Sequence, residues 1–227
     1  VKQNNVTFVS IFLNPKQFNN KKDLKKYPNK LGDDIKICKK NKVDYLFIPS
    51  FREVYSWKVK KKKFPKIKNI MEQKFRNGHF IGVLKVIEKL SDIIPAEKMY
   101  LGKKDFQQLK IIKDFFNLNK IKTKIIECKT IRDKNGLSLS SRNKLLSQKD
   151  LVKAANIIKF VKNIKSKKYS IYKKKVFIKQ YLIKNKVNFD YVENIDVKKF
   201  KPSNKKSLNS KIFIAFYLKK IRLIDNI

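Results

Sequence analysis

The sequence is poor in several residue types, and each shortage excludes a class of protein or site. A single histidine among 227 residues permits neither a histidine-based metal cluster nor a Ser-His-Asp triad. Five glycines and six prolines are too few for a disordered or fibrous chain. No apolar run approaches the roughly 20 residues that cross a bilayer, and no signal-peptide pattern opens the sequence. We therefore expect a cytoplasmic protein with no membrane partner.

Cysteine is also scarce. Cys38 and Cys128 lie far apart in the sequence and form no CxxC pair. This spacing favours two reduced thiols in a cytosolic protein over a disulfide or a metal-binding pair.

Arginine and acidic residues are rare beside lysine. The formal net charge is +40, which suggests nucleic-acid binding as one interpretation. However, base reading and bidentate phosphate contacts favour the planar guanidinium, and arginine supplies only five of the 58 basic residues. Lysines occur throughout the chain, as expected of an AT-rich genome. We interpret the charge as a solvated surface and expect nonspecific polyanion binding at low salt, but no specific nucleic-acid partner.

The sequence does contain a regular alternation of strand and helix patterns. Strands separated by helices and short loops predict a parallel α/β sheet, with ligands beyond the carboxyl ends of the strands. The segments NPKQF (14–18) and GKKD (102–105) directly follow predicted strands and are expected to border a nucleotide site. The predicted strands are 7–13, 43–48, 98–101 and 121–127, and the predicted helices are 33–41, 80–94 and 105–118.

The pattern changes after about residue 130. Here the sequence predicts two helices followed by strands, which indicates a smaller α+β unit that we interpret as a lid. We therefore expect a Rossmann-like domain over residues 1–130 and an α+β domain over residues 131–227. The predicted helices are 151–165 and 171–184, and the predicted strands are 189–195, 211–218 and 222–224.

Six sequence blocks follow one another along the whole chain in a familiar order. They are SIFLNPKQF (10–18), YPNKLGDD (27–34), RNGHFIGV (76–83), GKKDFQQL (102–109), IRDKNGLSLSSRN (131–143) and RLIDNI (222–227). Together they resemble the pantothenate synthetases, the pantoate–β-alanine ligases of the adenylate-forming nucleotidyltransferase superfamily. The resemblance implies a Rossmann-like parallel-sheet domain that binds nucleotide and pantoate, a smaller C-terminal α+β domain, and a homodimer.

The resemblance also implies an enzyme that uses ATP and Mg²⁺. In that family the carboxylate of pantoate attacks the α-phosphorus of Mg-ATP, releasing pyrophosphate and leaving pantoyl adenylate. The amine of β-alanine then displaces AMP to give pantothenate. Both steps require positioning and charge neutralisation. Asp33 and Asp34 could help to hold Mg²⁺, the alternative being a pair of acids at a helix start.

Two blocks are assigned to the triphosphate by the resemblance. Ser140, Ser141 and Arg142 would donate to phosphate oxygens, and the guanidinium would match the charge on departing pyrophosphate. The alternative for this stretch is a serine-rich helix cap. In the other block, Gly102 lets the backbone approach the ligand closely and Lys104 would reach the triphosphate.

Four further residues are assigned to the nucleotide site by the same resemblance. Lys103 stands where the family usually has an acid, and it adds a positive charge beside the site while pointing away from the chemistry. Asp105 would accept from ribose hydroxyls or cap the following helix. Ile131 and Leu139 would line the nucleotide pocket.

The remaining assigned residues concern pantoate. Gln17 and Gln108 resemble the family's pantoate clamps, although a glutamine after a strand-ending proline is otherwise an ordinary loop residue. Asn14 is either a catalytic-site residue or a turn former. Arg76 and His79 resemble residues that approach the substrate pocket, with helix capping as the alternative for the histidine. Asparagine follows Arg76 where the family usually has proline.

One family signature is missing from the sequence. The superfamily carries a Pro-Thr-Met-Gly stretch leading to His-x-Gly-His after its first strand, and no such segment occurs here. We expect a truncated record of a complete gene, with the first strand missing and with impaired activity. The alternatives are a non-catalytic remnant of the ligase and a basic nucleic-acid-binding module.

Overall fold

A computed structural model describes residues 6–18, 24–25, 27–28, 30–205, 207 and 209–227. Asn29 of the second sequence block lies outside the described residues. The chain divides into two compact units. The first comprises Val1–Lys68, Arg76–Lys98 and Ile111–Lys124, and the second comprises Asn69–Phe75, Met99–Lys110 and Ile125–Ile227. The functional boundary near residue 130 stays a prediction. Within the described residues no helix is both long and apolar enough to span a bilayer.

Strands and helices alternate along the first half of the chain, whereas in the second half two helices precede a run of strands. The helices are α1 (Leu31–Lys40), α2 (Phe51–Ser56), α3 (Glu72–Phe75), α4 (His79–Ile93), α5 (Phe106–Leu118), α6 (Gln148–Ser166) and α7 (Ile171–Lys184). The strands are β1 (Phe8–Ser10), β2 (Tyr45–Phe47), β3 (Lys98–Gly102), β4 (Lys124–Cys128), β5 (Phe189–Asp196), β6 (Lys201–Pro202), β7 (Ser210–Leu218) and β8 (Ile221–Asn226). Short 3₁₀ turns occupy Pro15–Gln17, Lys103–Asp105 and Ser141–Leu145.

The first unit is organised around a parallel strand pair. β1 and β2 run in parallel, with Phe8 opposite Tyr45 and Ser10 opposite Phe47. β1 ends before Pro15, whose ring removes the N–H that a continuing ladder would need. The predicted strand 7–13 is shorter in the structure, because its pairing with β2 covers only Phe8–Ser10. The buried face of α4, including Phe80 and Leu84, contributes to the core of this unit.

The second unit contains an antiparallel sheet in the order β6-β5-β7-β8. β7 lies between β5 and β8 and has most of its residues buried. Helices α6 and α7 supply Ile158, Val161, Ile178 and Leu182 to the same hydrophobic core. Strands β3 and β4 form a separate two-stranded sheet. The sheet places β8, which carries the last sequence block, beside a long buried strand.

Most predicted elements are confirmed, and serine caps account for where two of the helices begin. Ser170 accepts from the N–H of Lys173 and starts α7 at the predicted residue. Ser147 caps α6, which therefore begins three residues earlier than its predicted start. Helix α2 was not predicted, although the capping box formed by Ser50 and Glu53 is a readable start signal.

Candidate functional site

In the first unit, the NPKQF segment is held by the side chain of Asn14. Asn14 is buried, and its Nδ2 donates to the carbonyl of Gly82 at 3.0 Å. Its Oδ1 accepts from the N–H of Lys16 at 3.1 Å and from the hydroxyl of Tyr55 at 3.0 Å. An amide oxygen accepts about two hydrogen bonds, so this oxygen is fully used within the protein. These contacts leave the second hydrogen of Nδ2 available to a ligand.

The backbone carbonyl of Gln17 contacts two other assigned residues of this unit, Arg76 and His79. The carbonyl oxygen lies 2.9 Å from Nδ1 of His79 and accepts from Nη2 of Arg76 at 3.2 Å. A carbonyl only accepts, so Nδ1 of His79 carries the proton. Gly78 rather than His79 occupies the N-cap of α4, with φ at +78°. The structure therefore brings Asn14, Gln17, Arg76 and His79 together.

In the second unit, the block IRDKNGLSLSSRN folds as a tight hairpin. The N–H of Leu139 donates to the carbonyl of Ile131 at 3.0 Å. Oδ1 of Asp133 accepts from two backbone N–H groups of the turn, and Gly136 takes the left-handed conformation at φ +84°. The side chains of Ile131 and Leu139 are exposed. The hairpin thus leaves two apolar side chains open to a ligand.

Three assigned residues line one pocket of the second unit. Lys104, Ser140 and Arg142 contribute to its wall. The pocket holds about 20 Å³, which is room for about one water molecule. Ser140 also caps the following 3₁₀ turn by accepting from the N–H of Arg142 at 3.3 Å. That bond does not use the hydroxyl hydrogen, so capping and donation to a phosphate are compatible.

The GKKD turn follows the carboxyl end of β3, as predicted. Gly102 is the N-cap of the 3₁₀ turn, and Gln108 lies half-buried in the first turn of α5. Nζ of Lys103 forms an ion pair with Glu127 at 3.0 Å, whereas Nζ of Lys104 lies 3.8 Å from a carboxylate oxygen of Asp105. The charge of Lys103 is therefore matched by a close carboxylate, while the pairing of Lys104 is looser.

An ion network built around the buried residues Glu72 and Tyr191 adjoins this pocket and was not predicted from the sequence. Arg222 lines the pocket and donates two bonds of 2.8 Å to the carboxylate of Glu72 and one of 2.7 Å to Asp190. The hydroxyl of Tyr191 donates to Glu72 at 2.8 Å. Burial opposes the charge on Arg222, but these carboxylates raise its pKa above the ordinary value. Burial and the charge of Glu72 raise the pKa of Tyr191 well above its ordinary value.

A second guanidinium ties the hairpin to β8. Nη1 and Nη2 of Arg132 donate to the two carboxylate oxygens of Asp225 at 2.6 and 2.9 Å. Nη1 also donates to the carbonyl of Gly136 at 3.0 Å. Both residues belong to recognised blocks, but their pairing was not predicted. The rarity of arginine in this chain was the available signal.

The described residues contain no group of three or more His, Cys, Asp and Glu side chains that could hold a metal ion. Asp33 and Asp34 lie in the first turn of α1, which is the helix-start arrangement. Cys38 is a buried and Cys128 a half-buried free thiol.

Comparison with known proteins identifies related sequences. Residues 1–227 match the family model described as pantoate-beta-alanine ligase. A pantothenate synthetase of Francisella philomiragia is 40% identical over 230 residues, which cover 99% of this chain and 79% of that protein. The pantothenate synthetase of Endomicrobium trichonymphae is 39% identical, and the match covers 100% of this chain and 82% of that protein.

Solved structures agree with these sequence matches. A pantothenate synthetase from Thermus thermophilus superposes with a TM-score of 0.90 at 25% identity, covering 100% of this chain and 84% of that one. A pantoate-beta-alanine ligase from Francisella tularensis, complexed with beta-gamma ATP and beta-alanine, gives 0.81 at 39% identity, covering 100% and 80%. These neighbours confirm the predicted fold class, an α/β nucleotidyltransferase fold with a parallel sheet and a smaller C-terminal domain.

Proposed function

The chain belongs to the pantoate-beta-alanine ligase family, and we propose that it condenses pantoate with β-alanine, converting ATP to AMP and pyrophosphate. The observation that supports this most directly is the shared pocket of Lys104, Ser140 and Arg142. Lys104, Arg142 and the hydroxyl of Ser140 there would match the negative charge of one phosphate oxygen of the triphosphate, which is about what a pocket with room for one water molecule admits. The homodimer and the cytoplasmic location stay predictions.

The reaction proceeds in two displacement steps. A carboxylate oxygen of pantoate forms a bond to the α-phosphorus of ATP, and the bond to pyrophosphate breaks. The amine of β-alanine then bonds to the acyl carbon, gives up a proton, and AMP leaves with the electron pair. Lys104 and Arg142 neutralise charge that builds on the phosphates, and Ser140 donates to a phosphate oxygen. These residues lower the barrier by placing positive charge and a hydrogen-bond donor beside the reacting phosphates.

Magnesium enters this scheme with the nucleotide. Mg²⁺ is commonly held by substrate phosphates, one or two carboxylates and water rather than by a cage of protein ligands. The lack of a metal-binding cluster among the described residues is compatible with that arrangement. We therefore propose Mg-ATP as the substrate and assign no resident metal site.

On the pantoate side, the contacts support a positioning role for several residues. The amide side chain of Gln17 would hold the hydroxyl or carboxylate groups of pantoate, and the role of Gln108 stays a prediction. His79 and Arg76 hold the backbone carbonyl of Gln17, so they would act mainly by fixing that residue. Asn14 would fix the turn and offer at most one hydrogen to the substrate.

The Gly82→Ala substitution tests this arrangement. A Cβ at position 82 would lie 2.6 Å from the carbonyl oxygen of Lys16 and 3.2 Å from Cγ of Gln17. The turn must shift to relieve this overlap, which costs about 1–3 kcal/mol. We expect KM for pantoate to rise about tenfold or more, with KM for ATP changed much less. Steady-state kinetics and thermal unfolding measure the two effects.

A matched control is Gly32→Ala in α1, where an added Cβ has no atom within 4 Å. That variant should keep the wild-type KM for pantoate. An unchanged pantoate KM in Gly82→Ala, in a folded protein, would contradict the assignment of Gln17.

The proposed reaction is tested by AMP formation. AMP should appear when ATP, pantoate and β-alanine are all present, in equal amount to pantothenate. With β-alanine omitted, labelled pyrophosphate should exchange into ATP only if pantoate is present, because adenylate formation is reversible. AMP release that ignores pantoate would rule out the proposed function.

A further inference from the structure

Asn226 occupies a buried position at the end of β8 and contacts the GKKD turn. Its side chain is almost fully buried. Nδ2 donates to the backbone carbonyl of Lys103 at 2.9 Å and to that of Lys104 at 3.0 Å. Both hydrogens of the amide group are therefore committed to one short backbone segment. The contact joins residues more than 120 positions apart in the sequence.

The orientation of this amide is set by a third partner. Nζ of Lys211 on β7 donates to Oδ1 of Asn226 at 3.2 Å. An ammonium has no acceptor, so the oxygen must face Lys211 and the NH₂ group must face the turn. The backbone N–H of Asn226 is also fixed, since it donates to Asp225 at 2.8 Å. The amide group thus has a single consistent orientation.

The turn that Asn226 contacts carries Lys104. A short turn alone restricts the backbone of Lys104, and so the position of its ammonium group, only weakly. The 3₁₀ turn spans only Lys103–Asp105 between β3 and α5. A long lysine side chain has about 2 kcal/mol of rotamer entropy, so a shift of its backbone adds to an already broad distribution of ammonium positions. The two hydrogen bonds from Asn226, which is distant in the sequence, to the successive carbonyls of Lys103 and Lys104 restrict that backbone.

We propose that Asn226 is a positioning residue for ATP use, acting through Lys104. This inference rests on the proposed function, in which Lys104 contacts the triphosphate. A misplacement of about 1 Å in such a group can lower the rate about 10²-fold. Asn226 itself touches no substrate in this scheme. Its effect should therefore depend on the presence of the Lys104 side chain.

The first test is Asn226→Asp, which keeps the size and the Lys211 partner. A carboxylate would face two carbonyl oxygens and would displace the turn. We expect kcat/KM for ATP to fall about 10- to 100-fold, with KM for β-alanine unchanged. If this variant does not fold, Lys211→Met offers a second test. It frees the amide from its fixed orientation and should lower kcat/KM for ATP about 3- to 10-fold.

The matched control is Asn194→Asp on β5. Asn194 is equally buried, and its Nδ2 donates to the carbonyl of Ser203 at 2.8 Å, in the same sheet. This variant should lose comparable thermal stability and keep wild-type kinetics for ATP. An equal kinetic loss in Asn194→Asp would show a merely structural effect and overturn the proposal.

A double-mutant cycle separates this inference from the proposed function. If Asn226 acts through Lys104, then Asn226→Asp should add little to the loss already caused by Lys104→Ala. Fully multiplicative losses would overturn the positioning role. If Lys104→Ala alone leaves activity intact, the triphosphate assignment fails and the inference fails with it. A large loss in Lys104→Ala with none in Asn226→Asp refutes the inference only.

Discussion

Lys104→Ala is expected to lower kcat for pantothenate formation about 10²- to 10³-fold, because it removes a cation that stabilises the charge developing on the phosphates. The side chain lines the pocket shared with Ser140 and Arg142. Its pairing with Asp105, at 3.8 Å, is too long to hold the ammonium firmly. Most of its charge is therefore available to a bound nucleotide. Arg142→Ala should give a loss of similar size, because it removes another cation that lines this pocket.

The neighbouring Lys103→Ala provides the control for this prediction. Lys103 has the same charge and side-chain length, but its ammonium pairs with Glu127 at 3.0 Å. Its removal should change kcat by no more than a few-fold. Initial rates of AMP release at saturating pantoate and β-alanine give the comparison. Equal losses at positions 103 and 104 would mean that net charge near the site matters, rather than a placed cation.

Glu72→Ala should cost about 3–5 kcal/mol of unfolding free energy. The carboxylate of Glu72 is buried and accepts two bonds from Arg222 and one from Tyr191. Without it, the partly buried guanidinium of Arg222 keeps Asp190 as its close counter-charge among the described residues. The tyrosine hydroxyl also loses its partner, and an unsatisfied buried donor is costly. Chemical denaturation, followed by circular dichroism, measures the change.

Glu193→Ala is the corresponding control. Glu193 lies on β5, two residues after Tyr191, and forms a 2.6 Å ion pair with Lys175, but both side chains are partly exposed. Partly exposed pairs contribute about 0–1 kcal/mol. If Glu72→Ala lowers the unfolding free energy no more than Glu193→Ala does, then water reaches the Glu72–Arg222 pair and the prediction is wrong.

Local elements of the fold were predictable because their signals lie in consecutive residues. The helix 171–184 has its serine cap and its apolar face within one short segment, and its predicted bounds match the structure. The strand 7–13 is shorter than predicted because backbone pairing with β2 covers only three residues. Hydrophobic pattern reports burial, whereas strand length depends on the partner strand.

The candidate site was predictable only to the level of its sequence blocks. Lys104, Ser140 and Arg142 were assigned from two blocks, and the structure places them on one pocket. The pairing of Arg222 with Glu72 spans 150 residues, and no local pattern specifies such a contact. The grip of Asn226 on the GKKD turn was missed for the same reason. Only a folded chain shows which distant polar groups meet.

The two bidentate guanidinium pairs have a consequence for how this lysine-rich chain is cross-linked. Arg132 and Arg222 tie segments 93 and 150 residues apart, in a protein whose two cysteines are both free. Each ion pair links two segments that are distant in the sequence without a covalent bond, where another protein would use a disulfide. A lysine in either place would offer one point charge instead of a two-pronged fork. Arginine-to-lysine substitution at either position would therefore break the bidentate pair, although the net charge would stay at +40.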